Sequence, residues 1–110
     1  MAEAVTSVAY YRVKQGMLDA FLDVIDRHQA TMRDLDLITP REVEVFVGEE
    51  SEKNGPLVVE IFDWTDESAS DRAHTHPQVS EVWEAMGPLC EPRAGRPAFE
   101  FANLRRLERG

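Results

Sequence analysis

The sequence predicts an α+β fold in which one four-stranded antiparallel sheet carries its helices on a single face. Three observations lead to this prediction. Runs of β-branched and aromatic residues mark four strands, and amphipathic stretches with helical spacing mark the helices. These segments follow one another in the order strand, helix, strand, strand, helix, strand. With right-handed crossovers, that order gives a ferredoxin-like βαββαβ sandwich.

The first half of the chain supplies a strand, a helix and a second strand. The run VTSVAYYRV, residues 5–13, is β-branched and aromatic and ends at a Lys-Gln-Gly turn. Apolar residues then recur at helical spacing over residues 18–35, with aspartate and arginine between them. Residues 42–47 alternate between polar and apolar with period two. The acidic stretch 48–55 is predicted to form an exposed hairpin loop.

The second half of the chain repeats the alternation with shorter helices. An aspartate fits the N-cap of the first of these helices, because its carboxylate accepts hydrogen bonds from free backbone N–H groups. A proline fits the first turn of the next helix, where its missing N–H costs nothing, and a Gly-Pro pair ends it. The predicted elements are a strand over 57–64, a helix over 67–73 capped by Asp66, a helix from Pro77 to Gly87-Pro88, and a strand over 97–104.

Length, charge and cysteine content narrow the classes of function. The 110 residues suit a single domain, which we place at residues 1–110. With 21 acidic against 12 basic side chains, the chain repels phosphate backbones and anionic membranes. No apolar run is long enough to span a membrane, and the start lacks a signal peptide pattern. The single cysteine, Cys90, fits a reducing compartment. We expect a cytoplasmic protein that binds neither nucleic acid nor membrane.

Large apolar side chains occupy both faces of the two central strands. Successive residues of a strand point to opposite faces, so Val45 opposes Phe46 and Val59 opposes Phe62. Two helices cover one face only. The other face would expose more apolar surface than the patch of roughly 300–600 Å² that is the largest on a typical monomer. We therefore expect a homodimer that joins sheet to sheet.

The region from the third strand to the last helix carries a resemblance to a known family. The run VEIFDW, residues 59–64, is followed by Ala73-His74, Pro77, Val79 and Trp83-Glu84. In these residues, and in the order of elements over 5–104, the chain resembles the antibiotic biosynthesis monooxygenase-like domain of the dimeric α+β barrel superfamily. The resemblance implies a dimer whose sheets close a barrel, and a pocket between helices and sheet in each subunit. Some members oxidise polycyclic phenols with molecular oxygen and no metal or flavin, others degrade haem, and many have no known activity.

The sequence departs from the haem-degrading members of that family. Those proteins use an asparagine on the first strand, a helix tryptophan and a histidine that ligates haem. Here the only asparagines are Asn54 and Asn103, and the first strand offers Ala9, Tyr10 and Tyr11 instead. We therefore expect no haem and no other cofactor.

We predict His74 as the catalytic base. It ends the predicted short helix, close to the helix that carries Trp83, and an unperturbed imidazole pKa of about 6.5 suits proton abstraction at neutral pH. Oxygenation without a cofactor needs such a base and a dry pocket, whose walls we predict to include Tyr10, Tyr11, Trp64 and Trp83. Two alternatives stay open. His74 would also be favourable as a cap at the helix C-terminus, and Trp83 would also suit the core.

Two further predictions concern the tyrosine pair and Glu60. Tyr10 and Tyr11 are consecutive and point to opposite faces, so at most one of them lines a pocket on the helix side. Glu60 lies in an apolar run, where it either faces the pocket with a raised pKa or pairs at the dimer face with an arginine such as Arg12; pairing is the favoured interpretation.

The two histidines His74 and His76 are close enough in sequence to suggest a metal site. It would need a third ligand from His28, Glu60 or Cys90. If the chain stays helical to residue 75, the two imidazoles diverge. We therefore expect no metal.

Two functions follow from these observations. The first is a cofactor-independent monooxygenase-like enzyme that acts on an apolar, aromatic small molecule, with His74 as the base. The second is a non-catalytic dimeric protein of the same fold that binds a small ligand, since fold does not fix function.

Overall fold

A single antiparallel sheet, in the strand order β2-β3-β1-β4, organises the chain. The computed structural model describes residues 5–50 and 53–107. The remaining residues, including part of the predicted acidic loop and part of the N-terminal stretch, lie outside the described residues. The elements are β1 (Val5–Arg12), α1 (Leu18–Asp34), β2 (Glu44–Glu49), β3 (Pro56–Trp64), α2 (Ala69–His74), α3 (Pro77–Met86), a 3₁₀ turn (Gly87–Leu89) and β4 (Phe99–Leu104). The predicted ferredoxin-like fold class is confirmed.

The central strand β1 sets the register of the sheet. It pairs with β3 on one side and with β4 on the other, so that Ala9 lies opposite both Glu60 and Phe101. Directly opposed residues point to the same face of a sheet. Ser7, Ala9 and Tyr11 therefore face the helices together with the even-numbered residues of β3.

The helices cover this inner face with apolar side chains. In α1 the buried side chains Phe21, Ile25 and Met32 follow the helical repeat. In α3 the buried side chains are Val79, Val82 and Met86. Among the described residues, no helix combines the length and the hydropathy needed to cross a bilayer.

The start of α2 differs from the prediction. The helix begins at Ala69, behind an N-cap at Ser68, and Asp66 is therefore not the N-cap. The Asp66 carboxylate instead accepts hydrogen bonds from the backbone N–H and the hydroxyl of Ser68, each at 2.8 Å, and from Arg72. These contacts lower the pKa of Asp66 to about 2. The aspartate forms a local turn before the helix, which competes with direct capping.

Two other boundaries illustrate why the ends of elements are set by pairing. The strand β2 runs on through Gly48 and Glu49, because these residues pair with Leu57 and Pro56 of β3 despite their polar composition. The predicted hairpin loop is correspondingly shorter. The prediction for α3 is confirmed, since Pro77 occupies its first turn and the helix ends at Met86, before Gly87-Pro88.

The predicted bare face of the sheet is present on the side away from the helices. There Phe46 is 55% exposed, Leu104 49% and Tyr10 39%. The strand registers place further apolar side chains between them on the same face. Together these residues form the open face: Val8, Tyr10, Phe46, Leu57, Val59, Ile61, Ala102 and Leu104.

One glycine is required where β3 begins. Gly55 has a φ of +145°, which residues with a side chain rarely adopt, and a Cβ there would clash with the Arg93 guanidinium and lie 3.1 Å from the Val13 carbonyl oxygen. Arg93 cannot easily move, because it is buried and donates hydrogen bonds to the carbonyls of Val13 at 2.6 Å and Pro56 at 2.7 Å.

We expect Gly55→Ala to lower the free energy of unfolding by at least about 2 kcal/mol, because the strained φ and the displaced guanidinium add. Urea denaturation measures this change. The matched control is Gly48→Ala in β2, where φ lies outside the left-handed region and no atom lies within 4 Å of the new Cβ. Its stability should change by less than about 0.5 kcal/mol. Equal effects of the two substitutions would contradict the role given to Gly55.

Candidate active site

A cavity of about 140 Å³ lies between the sheet and the helices. Three strands (β1, β3 and β4) and all three α-helices contribute residues to it. Most of its wall is aromatic or apolar. The lining residues are Ser7, Ala9, Tyr11, His28, Phe62, Trp64, Ser70, His74, Trp83, Phe101 and Asn103.

The cavity has a buried floor and an exposed mouth. Ala9, Tyr11 and Phe62 on the floor are each 4% exposed or less. At the mouth, the α2 residue His74 is exposed, and the β4 residue Phe101 is 63% exposed. The cavity therefore opens between α2 and β4, and aromatic rings lie below the opening.

Three side chains of the cavity wall and one side chain behind it form a continuous hydrogen-bond network. The Tyr11 hydroxyl donates to Glu60 Oε1 at 2.7 Å. Glu60 Oε2 lies 3.2 Å from His28 Nδ1, and the indole Nε1–H of Trp83 donates to His28 Nε2 at 3.1 Å. The four residues come from β1, β3, α1 and α3, so the network joins the sheet to both long helices.

The protons of this network can be assigned from its end members. An indole nitrogen only donates, so His28 Nε2 must carry a lone pair. A neutral imidazole then carries its proton on Nδ1 and donates it to Glu60. Glu60 accepts from Tyr11 as well, and both of its oxygens are satisfied as a carboxylate. The four side chains thus satisfy one another's hydrogen bonds, and no second charged side chain is needed beside Glu60.

Tyr11 is a hydrogen-bond donor in this network. Burial first, and then the charge of Glu60 and the hydrogen bond to it, raise the pKa of Tyr11 well above its ordinary value of 10.0. The phenol therefore stays protonated at neutral pH. Its ring also packs against Phe21 at a centroid distance of 5.0 Å, which fixes the floor of the cavity.

His74 stands at the mouth, at the last residue of α2. Its ring lies 4.8 Å from that of Trp83, centroid to centroid. Among the described residues no backbone carbonyl accepts a hydrogen bond from this ring, while the Thr75 hydroxyl donates to the carbonyl of Arg72 at 3.0 Å. The imidazole is thus presented to the cavity rather than to the helix end.

His76, the second histidine of the pair, caps a helix. His76 is the N-cap of α3, and its Nδ1 accepts a hydrogen bond from the backbone N–H of Gln78 at 3.3 Å. Within residues 5–50 and 53–107, no group of three or more His, Cys, Asp or Glu side chains is arranged to hold a metal ion.

Two of the predicted site residues lie elsewhere than expected. Tyr10 does not line the cavity, because it points to the open face of the sheet, while its neighbour Tyr11 lines the floor. The favoured pairing of Glu60 with Arg12 is wrong, because the two residues point to opposite faces. Arg12 instead contacts Glu50 at 3.1 Å and Glu100 at 2.6 Å, and Glu60 lies fully buried behind the cavity wall.

The remaining predicted residues, His74, Trp64 and Trp83, all line the cavity. The sequence reasoning missed His28 as a wall residue and considered it only as a third metal ligand. One pattern could have found it: residues 21, 24, 25, 28 and 32 form the buried stripe of α1, and His28 is its one polar member. The β4 residues Phe101 and Asn103 were missed because only the register with β1 brings them to the cavity. Asn103 Oδ1 accepts the Trp64 indole N–H at 3.1 Å.

The fold and the cavity together place the protein in a class of α+β proteins with an aromatic-lined pocket beneath the helices. No protein-family model matches the chain. No curated protein matches it either. Solved structures do match, and they include proteins of the antibiotic biosynthesis monooxygenase type.

Three of these structures show the range of the match. A dimeric ferredoxin-like protein of unknown function from Jannaschia sp. CCS1 is 15% identical with a TM-score of 0.71, covering 94% of this chain and 100% of its own. SnoaB, a cofactor-independent oxygenase from Streptomyces nogalater, is 23% identical with a TM-score of 0.66, covering 98% and 97%. An antibiotic biosynthesis monooxygenase is 12% identical with a TM-score of 0.68, covering 94% and 99%. At these identities the likeness confirms the resemblance at the level of the fold.

The raised pKa of Tyr11 predicts a loss of stability at alkaline pH. A folded-state pKa above the unfolded value means that the neutral phenol stabilises the fold fully below about pH 10, and that this contribution is lost as the pH rises further. Tyr11→Phe should reduce this alkaline loss of stability, and part of the remaining loss comes from the Cys90 thiol, whose pKa burial raises to about 12. At pH 7 the substitution should cost about 1–3 kcal/mol, since Glu60 loses a donor.

Urea denaturation between pH 7 and 11 tests this prediction. The control is Tyr10→Phe, which deletes a hydroxyl on the open face and should change stability by less than about 0.5 kcal/mol at pH 7. If Tyr11→Phe and the unaltered protein lose stability in parallel above pH 10, the assignment is wrong.

Proposed function

We propose that the protein is a cofactor-independent monooxygenase-like enzyme that acts on an apolar, aromatic small molecule in this cavity. The observation that carries the proposal is the position of His74, whose imidazole stands at the mouth of a buried aromatic pocket and against Trp83. SnoaB, which shares the fold, is a cofactor-independent oxygenase. A base beside a dry aromatic cavity is what such chemistry requires.

The size of the cavity limits how a ligand enters. Its volume of about 140 Å³ is close to that of an engineered apolar cavity of about 150 Å³ that binds benzene. It therefore holds one aromatic ring. In a fused-ring ligand, the next ring extends through the mouth between His74 and Phe101, where the imidazole reaches it.

The proposed reaction uses His74 as general base at that outer ring. The imidazole takes a proton from an acidic C–H or a hydroxyl and leaves an electron-rich carbanion or phenolate. This anion transfers electrons to molecular oxygen, and a carbon–oxygen bond forms. Overall a CH₂ group becomes C=O, one oxygen atom stays in the product, and the other leaves as water with the two hydrogens. The four electrons that O₂ accepts come from the substrate, so no cofactor enters the balance.

The alternative is a non-catalytic dimeric protein that binds a small ligand in the same cavity. It is supported by the buried network from Tyr11 to Trp83, in which all hydrogen-bonding groups are already satisfied, and by the shared fold with a protein of unknown function. Oxygen consumption separates the two functions, because binding alone consumes none.

We expect His74→Ala to lower the rate of oxygen uptake with polycyclic phenols by about 10²–10⁴-fold, the usual contribution of a general base. An oxygen electrode measures the rate. His74 is exposed, so the variant should fold normally. The control is His76→Asn, which keeps an N-cap acceptor for α3 and should leave the rate unchanged. If the unaltered protein consumes no oxygen across a broad panel of such phenols, the binding function is favoured instead.

We also propose a homodimer formed through the open face of the sheet. Its support is the exposed apolar surface around Phe46 and Leu104, together with the dimeric neighbour from Jannaschia. Burial of about 600 Å² of such surface per subunit would contribute on the order of 15 kcal/mol per partner before the costs of association. That is ample for a stable pair.

Two adjacent residues of β2 test the dimer. Phe46 lies on the open face at 55% exposure, and Val47 points to the other side of the same strand at 49% exposure. We expect Phe46→Glu to yield a monomer at micromolar concentration, because a charge cannot be buried unpaired. Val47→Glu should remain a dimer. Sedimentation velocity gives the answer, and a monomeric unaltered protein would refute the proposal.

Location and other partners rest on composition. Burial raises the pKa of the Cys90 thiol to about 12, so this single cysteine is a poor nucleophile and a poor candidate for a disulfide. A single, unpaired cysteine is typical of reducing compartments, and we propose the cytoplasm as the location. The net charge of −9 supports the proposal that the protein binds neither nucleic acid nor anionic membrane.

A further inference from the structure

The proposed reaction leaves the second cavity imidazole, His28, without a role. Its ring lines the cavity although only 3% of the residue is exposed. Its Nε2 holds a lone pair, and the indole N–H of Trp83 occupies that lone pair at 3.1 Å. The wall of a mostly aromatic and apolar cavity therefore contains a buried hydrogen-bond acceptor that a neighbouring side chain covers.

The surroundings of His28 hold this acceptor in one orientation. Glu60, which is 0% exposed, accepts from Nδ1 and from Tyr11, so the imidazole cannot change tautomer without losing a buried hydrogen bond. A carboxylate behind an imidazole increases the electron density at the opposite nitrogen and fixes the direction of its lone pair. A donor that approaches Nε2 from the cavity meets a preorganised partner.

The cover over Nε2 is replaceable. Trp83 is half-buried, whereas His28 and Glu60 are buried. If the indole N–H leaves Nε2, it can donate to water at the mouth, so the exchange leaves no group unpaired. A ligand without a donor cannot make this exchange, because a bare Nε2 in a dry cavity would lose its hydrogen bond.

We infer that His28 Nε2 is the hydroxyl-recognising atom of the cavity, and that a ligand hydroxyl replaces the indole N–H of Trp83 there. His28 is then a specificity-determining residue, and Glu60 and Tyr11 are positioning residues. The inference takes the class of ligand, an aromatic small molecule, from the proposed function and makes it more specific. The ring that enters the cavity carries a hydroxyl, and the reacting position lies at the mouth near His74. Recognition of the hydroxyl does not depend on catalytic turnover.

Binding of phenol and anisole tests the inference, since the two differ by the donor hydrogen. The readout is the NMR signal of the Trp83 indole N–H, assigned by comparison with Trp64→Phe, during titration with each compound. We expect phenol to bind about ten-fold more tightly than anisole. We also expect phenol, and not anisole, to shift the indole signal toward that of a water-exposed N–H.

Matched substitutions at the two cavity imidazoles locate the acceptor. His28→Phe should abolish the preference for phenol, and His74→Phe should keep it. The opposite pattern, equal affinities in the unaltered protein, or no binding of phenol would overturn the inference. Because oxygen uptake is not measured, these results do not depend on whether the protein is an oxygenase, and an inactive protein that prefers phenol would refute the proposed function alone.

A third variant decides the matter if His28→Phe does not fold. Trp83→Phe removes the competing donor and keeps an aromatic wall. We expect it to bind phenol about three- to ten-fold more tightly than the unaltered protein, with anisole little changed. If Trp83 itself donates to the ligand oxygen, the same variant binds both compounds more weakly, and that result would overturn the inference.

Discussion

The buried carboxylate of Glu60 is the constraint on which the cavity depends. It comes from the middle of β3, has no exposed surface, and accepts hydrogen bonds from Tyr11 of β1 and His28 of α1. A buried carboxylate that loses a donor costs about 1–3 kcal/mol or more, so both donors are held in place. Because the Tyr11 ring lies on the floor of the cavity and the His28 ring lines its wall, the shape of the cavity depends on the requirement to satisfy one charge.

The arrangement of strands and helices could be predicted because it depends on local patterns. Alternation along β2 and β3 indicated two apolar faces, and the sheet has them, with Phe46 and Val59 on the open face and Phe62 on the face covered by the helices. The hydrogen-bonding site is different. Glu60 meets partners 49 and 32 residues away in sequence. These contacts depend on strand register and helix rotation, which no local pattern specifies.

The wrong pairing of Glu60 with Arg12 shows where such reasoning fails. Charge complementarity suggested the pair, but Ala9 lies opposite Glu60, so the facing residues of β1 are Ser7, Ala9 and Tyr11 and not Arg12. A neutral tyrosine and a neutral histidine satisfy the carboxylate instead of a cation. The sequence did contain one relevant feature, the polar His28 on the buried stripe of α1, because a buried polar side chain requires a partner.

The two faces of β3 connect the proposed site with the proposed interface. Glu60, Phe62 and Trp64 face the helices, and Val59 and Ile61 face away from them. A shift of one residue in register would exchange the two sets, placing the carboxylate on the open face and the aliphatic side chains beneath the helices. A second sheet packed on the open face would penalise that shift, since it would have to cover a charge. Association through the open face would therefore hold Glu60 in position behind the cavity, so that the dimer stabilises the geometry of the site without contributing a residue to it.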